Sequence, residues 1–137
     1  MRITANRKNL LQAVRTAMKA VGNEQVLEEL SGLLLEADEA TGIITVTGSD
    51  IRTQIQCRLR NEHVLEGGSL VMSPVVADML KVLGGETVEI GSAYNRMELK
   101  SGTAKYNIAT LESEKYPKMQ FPFPEDFITV KGINSIR

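Results

Sequence analysis

A motif near the start of the chain recurs near its end, and this echo limits what the chain can fold into. The segment Ile-Thr-x4-Asn-x-Leu that begins at Ile3 is repeated from Ile128 as Ile-Thr-x4-Asn-x-Ile, at an offset of 125 residues. Three identities and one conservative change over nine positions are a weak signal alone, but the offset is about one domain long. Because both copies begin a strand-then-helix unit, we predict one complete repeat and the start of a second.

Prolines and aromatic residues mark the boundary between the two repeats. Three of the four prolines and four of the six aromatic residues lie between positions 116 and 127, which is typical of a stiff, extended linker. We therefore predict a first domain over 1–115, a linker over 116–126 and the truncated start of a second domain over 127–137. In this last segment we expect a strand over Phe127–Lys131 and then the beginning of a helix.

The first helix is predicted to begin after Asn6, a suitable N-cap, and to end at Gly22-Asn23. Its apolar positions recur at helical spacing and comprise Leu10, Leu11, Val14, Ala17, Met18 and Val21. The polar face carries Lys8, Gln12, Arg15 and Lys19, spaced by 4, 3 and 4 residues. Although the net charge of the whole chain is −1, residues 1–23 contain five basic and no acidic residues. Ordinary solvent-exposed faces mix both signs, so this segment is predicted to present a positive face.

The rest of the first domain alternates strands and turns around one more helix. Residues 51–59 alternate strictly between apolar and polar side chains, which predicts a half-buried strand with Cys57 facing inward. The second helix is predicted after Ser73 as N-cap, with Pro74 in its first turn and Gly84-Gly85 at its end. Further strands are predicted at 2–5, 31–37, 41–49, 69–72, 86–90, 96–100 and 103–111. Two helices and about eight strands indicate an α+β fold with the helices covering antiparallel sheet.

Few residues suit a catalytic or metal site. His63 is the one histidine, expected in a solvated loop, and Cys57 is the one cysteine. One residue of each type cannot make a histidine and cysteine set at metal-ligand spacing, and no phosphate-binding loop or nucleophile motif is present. We predict no catalytic residue, no metal and no cofactor. The absence of a membrane-length apolar stretch and of an apolar leader predicts a cytoplasmic protein without membrane contact.

Three stretches of the chain are similar to one protein family. They are the opening Met1-Arg-Ile-Thr with Asn9-Leu-Leu-Gln, the pair Leu30–Glu36 and Ile44–Ile51, and the run Arg96–Leu111 followed by Tyr116-Pro117. In order and spacing along the whole chain they resemble the first domain of the bacterial DNA polymerase III β subunit, the sliding-clamp family. The resemblance implies the DNA-clamp fold, with two helices packed on antiparallel β-sheet.

The resemblance also implies a function and partners. Members of the family form rings of two subunits, each with three similar domains, that encircle duplex DNA and act as non-catalytic processivity factors. The expected partners are double-stranded DNA, bound weakly and without sequence preference, and another clamp subunit. DNA polymerase III subunits and the clamp loader are expected to bind through the second and third domains. A nucleoid-associated cytoplasmic location is implied, and the DNA-facing residues would be Lys8, Gln12, Arg15, Lys19 and Lys81.

By position in the family, Val75, Met79, Tyr106 and Ile108 would form the contact with the other subunit's third domain. Met79 is equally compatible with a plain core position, and Tyr106 with an ordinary half-buried strand. Two departures from the family pattern weaken local attraction to DNA: Glu24 replaces a base in the loop after the first helix, and Pro74-Val75 replaces a basic start of the second helix. Two alternatives therefore stay open, a stand-alone clamp-like binding module that has lost ring closure and a small enzyme.

Overall fold

The computed structural model of the protein describes residues 1–22, 31–50, 52–60, 62–117, 128–131 and 134–136. Two α-helices, one short 3-10 helix (Ser113–Lys115) and eleven strands lie within these residues. In chain order they are β1 (Arg2–Asn6), α1 (Arg7–Met18), β2 (Leu33–Asp38), β3 (Ile43–Ser49), β4 (Gln54–Leu59), β5 (His63–Glu66), β6 (Gly68–Met72), α2 (Val76–Val82), β7 (Thr87–Ala93), β8 (Arg96–Ser101), β9 (Ala104–Ala109), β10 (Ile128–Lys131) and β11 (Asn134–Ile136). The predicted α+β fold, with two helices and mainly antiparallel sheet, is confirmed.

The strands form two sheets. The first has the order β5-β1-β7-β8-β9 and is antiparallel throughout. The second has the order β11-β10-β4-β3-β2-β6, and its pair β10–β4 is parallel. Short turns join the antiparallel pairs β2–β3, β3–β4, β7–β8 and β8–β9, whereas β1 pairs with β5 and β7, and β2 with β6, across longer stretches of chain. In the β2–β3 turn, for example, Gly42 has a φ of +71° and its N–H donates to the Asp38 carbonyl at 2.8 Å, a conformation that favours glycine.

Helix α1 begins where its capping residue predicts and ends earlier than its apolar pattern suggests. The Asn6 side-chain oxygen accepts a hydrogen bond from the Asn9 N–H at 3.0 Å, as an N-cap does. After Met18 the N–H groups of Lys19, Ala20 and Val21 each donate to the carbonyl three residues back. The predicted last turn is therefore wound as a tight 3-10-type turn, so Lys19 lies just beyond the α-helix.

One hydrophobic core lies between the two sheets and the two helices. Its members come from β1–β4, β6–β8, α1 and α2, and among its fully buried side chains are Ile3, Leu10, Leu33, Leu35, Ile44, Leu59, Met72, Leu80, Ile90 and Met97. Each large aliphatic side chain of this kind contributes roughly 1.5–3 kcal/mol through the area it removes from water. The core thus fixes the apolar face of α1 inward and its polar face outward.

The second sheet is covered on its other face as well, which the alternation in residues 51–59 did not predict. Leu34, Val71 and Tyr116 form a second buried cluster there, with Leu111 against it. The Tyr116 hydroxyl donates to the Thr47 carbonyl at 3.4 Å, and burial raises the Tyr116 pKa to about 12. Cys57 and Leu59 face the core as predicted, but Gln54 and Gln56, expected on a solvated face, are also buried.

Two local expectations are wrong. His63 does not lie in a loop but begins β5, an edge strand that the pattern missed because only Val64 is packed against the core and Leu65 is 69% exposed. The segment after β10 is not a helix over Asn134–Ile136 but the strand β11, which pairs back on β10. A segment this short cannot offset the cost of helix nucleation, whereas an adjacent strand supplies backbone partners at once.

The β3 strand passes unusually close to the end of α1. Position 48 in β3 is a glycine, and a Cβ there would overlap the Ala17 carbonyl oxygen and lie 3.2 Å from the Leu33 side chain. Because Gly48 has no side chain, α1 can pack directly against the second sheet. Gly91, in β7, has open space where its Cβ would be.

We predict that Gly48→Ala lowers the free energy of unfolding by about 2–3 kcal/mol, because strand and helix must separate to admit the methyl group. The matched control Gly91→Ala should change it by less than about 1 kcal/mol, since nothing obstructs the added carbon. Urea unfolding of both variants followed by circular dichroism checks this. Equal effects of the two substitutions would show that the close approach of β3 to α1 does not limit stability.

Candidate nucleic-acid interface

The polar face of α1 carries basic side chains and no acidic one. Lys8 and Arg15 are exposed on the helix, Lys19 is exposed in the turn that follows, and Gln12 is half-buried between them. All four predicted residues lie on one side because the residues of the opposite side are buried in the core. The alignment inferred from 4, 3 and 4 spacing is thus present in the folded domain.

Within the described ranges, no carboxylate forms an ion pair with Lys8, Arg15 or Lys19. Two ion pairs of the described residues join the N-terminal ammonium to Glu66 at 3.1 Å and Lys105 to Glu98 at 3.7 Å, and neither involves α1. Helix α1 itself contains no acidic residue. Three cations on one face, free of internal partners in that part of the chain, can interact with an external polyanion.

The other basic residues near the N-terminus have different roles, which composition alone could not distinguish. Arg7 donates from Nε to the Gly85 carbonyl at 2.6 Å and from a terminal nitrogen to the Leu80 carbonyl at 2.8 Å. It therefore fastens the start of α1 to the end of α2, where carbonyl groups carry partial negative charge. Arg2 is exposed on the outer face of the first sheet, on the opposite side of β1 from the buried Ile3.

Helix α2 adds little positive charge to this surface. Lys81 is exposed, but Asp78 is exposed one turn earlier on the same short helix. Pro74 lies in the turn before α2, where the Ser73 hydroxyl accepts from the Val75 N–H at 3.3 Å. The helix begins at Val76, two residues later than predicted. Glu24, the other departure noted in the sequence, falls outside the described residues.

Cys57 lies beneath the C-terminal end of α1. Its side chain is fully buried in the core, and burial raises the pKa of its thiol to about 11, while the positive charge of Lys19 acts in the opposite direction. The inward position predicted for Cys57 is confirmed.

A second candidate surface lies at the end of the first sheet. Strand β9 is the last strand of that sheet, and Tyr106 and Ile108 are half-buried against the core. On α2, Met79 is half-buried, and Val75, the residue just before this helix, is 43% exposed. The turn before α2 and the end of β9 meet, since Ser73, Pro74 and Ala109–Leu111 line one shallow cavity.

Sequence reasoning missed one member of this apolar surface. Val82 is 65% exposed on α2. Together with Val75 and Met79 it forms an i, i+4, i+7 series along the helix, which the sequence would have shown. An exposed apolar stripe on a helix typically marks a contact with another protein surface.

The described residues contain no group of three or more histidine, cysteine or carboxylate side chains arranged to hold a metal ion. None of their helices is long and apolar enough to cross a membrane.

Two sheets joined by two helices, with a basic helix face and an open sheet edge, define a domain of the DNA-clamp class. The chain belongs to the DNA polymerase III beta subunit family: the model of that subunit's N-terminal domain matches residues 1–120.

Individual relatives support the same assignment. The chain is 30% identical over 132 residues to the beta sliding clamp of Streptomyces coelicolor, covering 96% of this chain and 34% of the relative. It is 25% identical over 121 residues to that of Escherichia coli K12, covering 87% and 32%. The chain therefore spans about one third of the length of the curated relatives it matches.

Solved structures show the same fold. The sliding clamp of Bacillus subtilis superimposes with a TM-score of 0.80 at 25% identity, covering 88% of this chain and 34% of that one. The beta subunit of Streptococcus pyogenes superimposes with a TM-score of 0.82 at 19% identity, covering 91% and 34%. The expected DNA-clamp fold is confirmed.

We predict that raising the pH weakens the fold through Cys57. In the unfolded chain the thiol ionises at about pH 8.5, whereas in the folded protein it stays protonated up to about pH 11. Between these values the unfolded state loses a proton that the folded state keeps, so the free energy of unfolding should fall as the pH rises. Tyr116, with its pKa raised to about 12, adds to this only above about pH 10.

Urea unfolding across this interval checks the prediction, with Cys57→Ala as the comparison. The variant should be less stable near neutral pH because of its cavity, yet lose less stability on going to higher pH. Parallel pH profiles for the two proteins would contradict it.

Proposed function

We propose that this chain acts as the first domain of a DNA sliding clamp, the processivity factor of a bacterial replicative polymerase. The observation that carries the proposal is the exposed face of α1, where Lys8, Arg15 and Lys19 have no carboxylate partner in the described residues. Because the chain belongs to the DNA polymerase III beta subunit family, we expect this face to contact duplex DNA.

The chemistry of this face suits sliding rather than sequence recognition. Lysine and arginine attract phosphates without reading bases, and a few such contacts leave the protein able to move along the duplex. Gln12 can add a neutral hydrogen bond to the backbone, and Lys81 a further charge. A clamp of this kind holds DNA by enclosing it and carries out no reaction itself. The small number of side chains suited to catalysis agrees with this proposal.

The partners of the whole protein follow from the same proposal. We expect the apolar surface of Val75, Met79, Tyr106 and Ile108 to meet another clamp subunit and close a ring. DNA polymerase III subunits and the clamp loader would bind to the second and third domains, in the bacterial cytoplasm at the nucleoid. The alternative, a stand-alone module without ring closure, draws support from Pro74 at the start of α2, where no basic side chain is available to DNA.

We predict that replacing Lys8, Arg15 and Lys19 together by alanine weakens binding of the chain to a short duplex at low salt. Because each phosphate contact releases counterions, the slope of log affinity against log salt should fall in magnitude by up to about 3. Fluorescence anisotropy with a labelled duplex over a series of salt concentrations measures both quantities. Circular dichroism confirms that the variant folds.

The chain offers a matched control in Arg2, Arg96 and Lys100. These three cations are exposed on the outer face of the first sheet, so replacing them by alanine removes the same charge from a different surface. The control variant should keep the salt slope of the original chain. An equal loss in both variants would indicate attraction by net charge alone, and an unchanged slope in the α1 variant would overturn the proposal.

A further inference from the structure

The turn between β3 and β4 lies at the C-terminal end of α1. Near the end of β3, Gly48 approaches the Ala17 carbonyl so closely that a Cβ would overlap it. At the other end of the helix, the Glu62 carboxylate, just after β4, accepts from the Asn6 N–H at 3.2 Å. Because β3 and β4 are antiparallel, these two contacts fix the direction of α1 along the sheet. The turn that follows β3 therefore lies at the same end of the helix as Lys19.

Hydrogen bonds to Asp50 hold this turn in a defined conformation. The Asp50 Oδ1 accepts from the N–H groups of Arg52 and Thr53, each at 2.7 Å, and the Asp50 N–H donates to the Thr53 carbonyl at 2.9 Å. Aspartate typically forms turns in this way. The bonds from Thr53 and Arg52 lower the pKa of the Asp50 carboxyl, so it stays ionised near neutral pH. Arg52 is held through its backbone, and its side chain takes no part in these bonds.

The Arg52 side chain is available to an external anion. It is exposed, and among the described residues its guanidinium forms no ion pair. The Asp50 carboxylate is close enough to interact with this charge, but its Oδ1 is already bonded to two backbone N–H groups. The planar guanidinium therefore keeps its donors for a group such as a phosphate, to which arginine can donate two hydrogen bonds at once.

We propose that Arg52 contacts the duplex backbone beside Lys19, so that the DNA-facing surface continues from α1 onto the β3–β4 turn. This inference rests on the proposed function, because it adds one phosphate contact to the exposed side of α1. The sequence pattern concealed it: the alternation over residues 51–59 assigns Arg52 to the polar face of a strand, whereas the strand begins only at Gln54. Two segments far apart in the sequence then supply one continuous line of cations.

A structural role for Arg52 is the competing explanation. A cation near the C-terminal end of a helix is stabilising, because the last carbonyl groups carry partial negative charge. Such a role would change the free energy of unfolding and leave the salt dependence of DNA binding as it is. A phosphate contact releases counterions and therefore changes the salt dependence. The two explanations thus differ in a measurable quantity.

Substitutions at Arg52 of the full 137-residue chain test the contact. In fluorescence anisotropy with a labelled duplex, Arg52→Gln should lower the slope of log affinity against log salt by about 1 in magnitude. Arg52→Lys, which keeps the charge, should retain the slope of the original chain. Arg96→Gln is the matched control, since it removes one exposed arginine from the outer face of the first sheet and should leave the slope unchanged. Urea unfolding of each variant measures any loss of stability separately.

Asp50→Asn tests the position of the turn in the opposite direction. The amide oxygen can still accept the two backbone hydrogen bonds, while the negative charge beside Arg52 is removed. Binding to the duplex at low salt should therefore become tighter than in the original chain. Circular dichroism verifies that the variant keeps its fold.

The outcomes separate this inference from the function on which it rests. An unchanged slope for Arg52→Gln, with or without a loss of stability, or an Asp50→Asn chain that binds no more tightly would overturn the inference. If replacing Lys8, Arg15 and Lys19 by alanine still lowers the slope in the same experiment, the proposed function stands. An unchanged slope in that α1 variant would overturn the proposed function and this inference together.

Discussion

The contact between α1 and the second sheet determines where the candidate DNA-facing residues of α1 lie. Gly48 allows β3 to approach the Ala17 carbonyl, and the apolar side of the helix fills the space between the sheets. Arg7 then joins the start of α1 to the end of α2 through two backbone carbonyls. Because the helix is held at both ends, its rotation is fixed, and one line of polar side chains is directed outward.

This arrangement separates the basic residues of the N-terminal segment by function. Arg7 binds backbone carbonyls within the domain, and Arg2 lies on the outer face of the first sheet. Three of the five cations in residues 1–23 therefore remain on the exposed side of α1 and in the turn that follows it. These three form no ion pair with a described carboxylate, so they keep their positive charge despite the net charge of −1 for the whole chain. Local placement, rather than overall charge, gives the domain a surface suited to phosphates.

Sequence patterns predicted those elements whose side chains carry a clear periodicity. The stripe of α1, its Asn6 cap and the inward position of Cys57 follow from spacing and residue type, and the structure confirms them. The edge strand β5 was missed because backbone pairing with β1, not a side-chain pattern, makes it a strand. The burial of Gln54 and Gln56 was also missed, because a strict alternation of apolar and polar residues predicts one solvated face, whereas a second cluster with Tyr116 packs on the outer face of this sheet. The candidate DNA-binding residues of α1 could be identified from the sequence, because basic residues recur there at helical spacing and therefore share one face of the helix.

Nuclear magnetic resonance of the labelled chain, titrated with a short duplex at low salt, tests the central claim most directly. The account predicts that the largest shifts in backbone amide signals occur along the exposed side of α1 and at Lys19, with little change in β8. Largest changes on the outer face of the first sheet, at Arg96 and Lys100, would contradict it, because the helix surface would then not be where DNA binds.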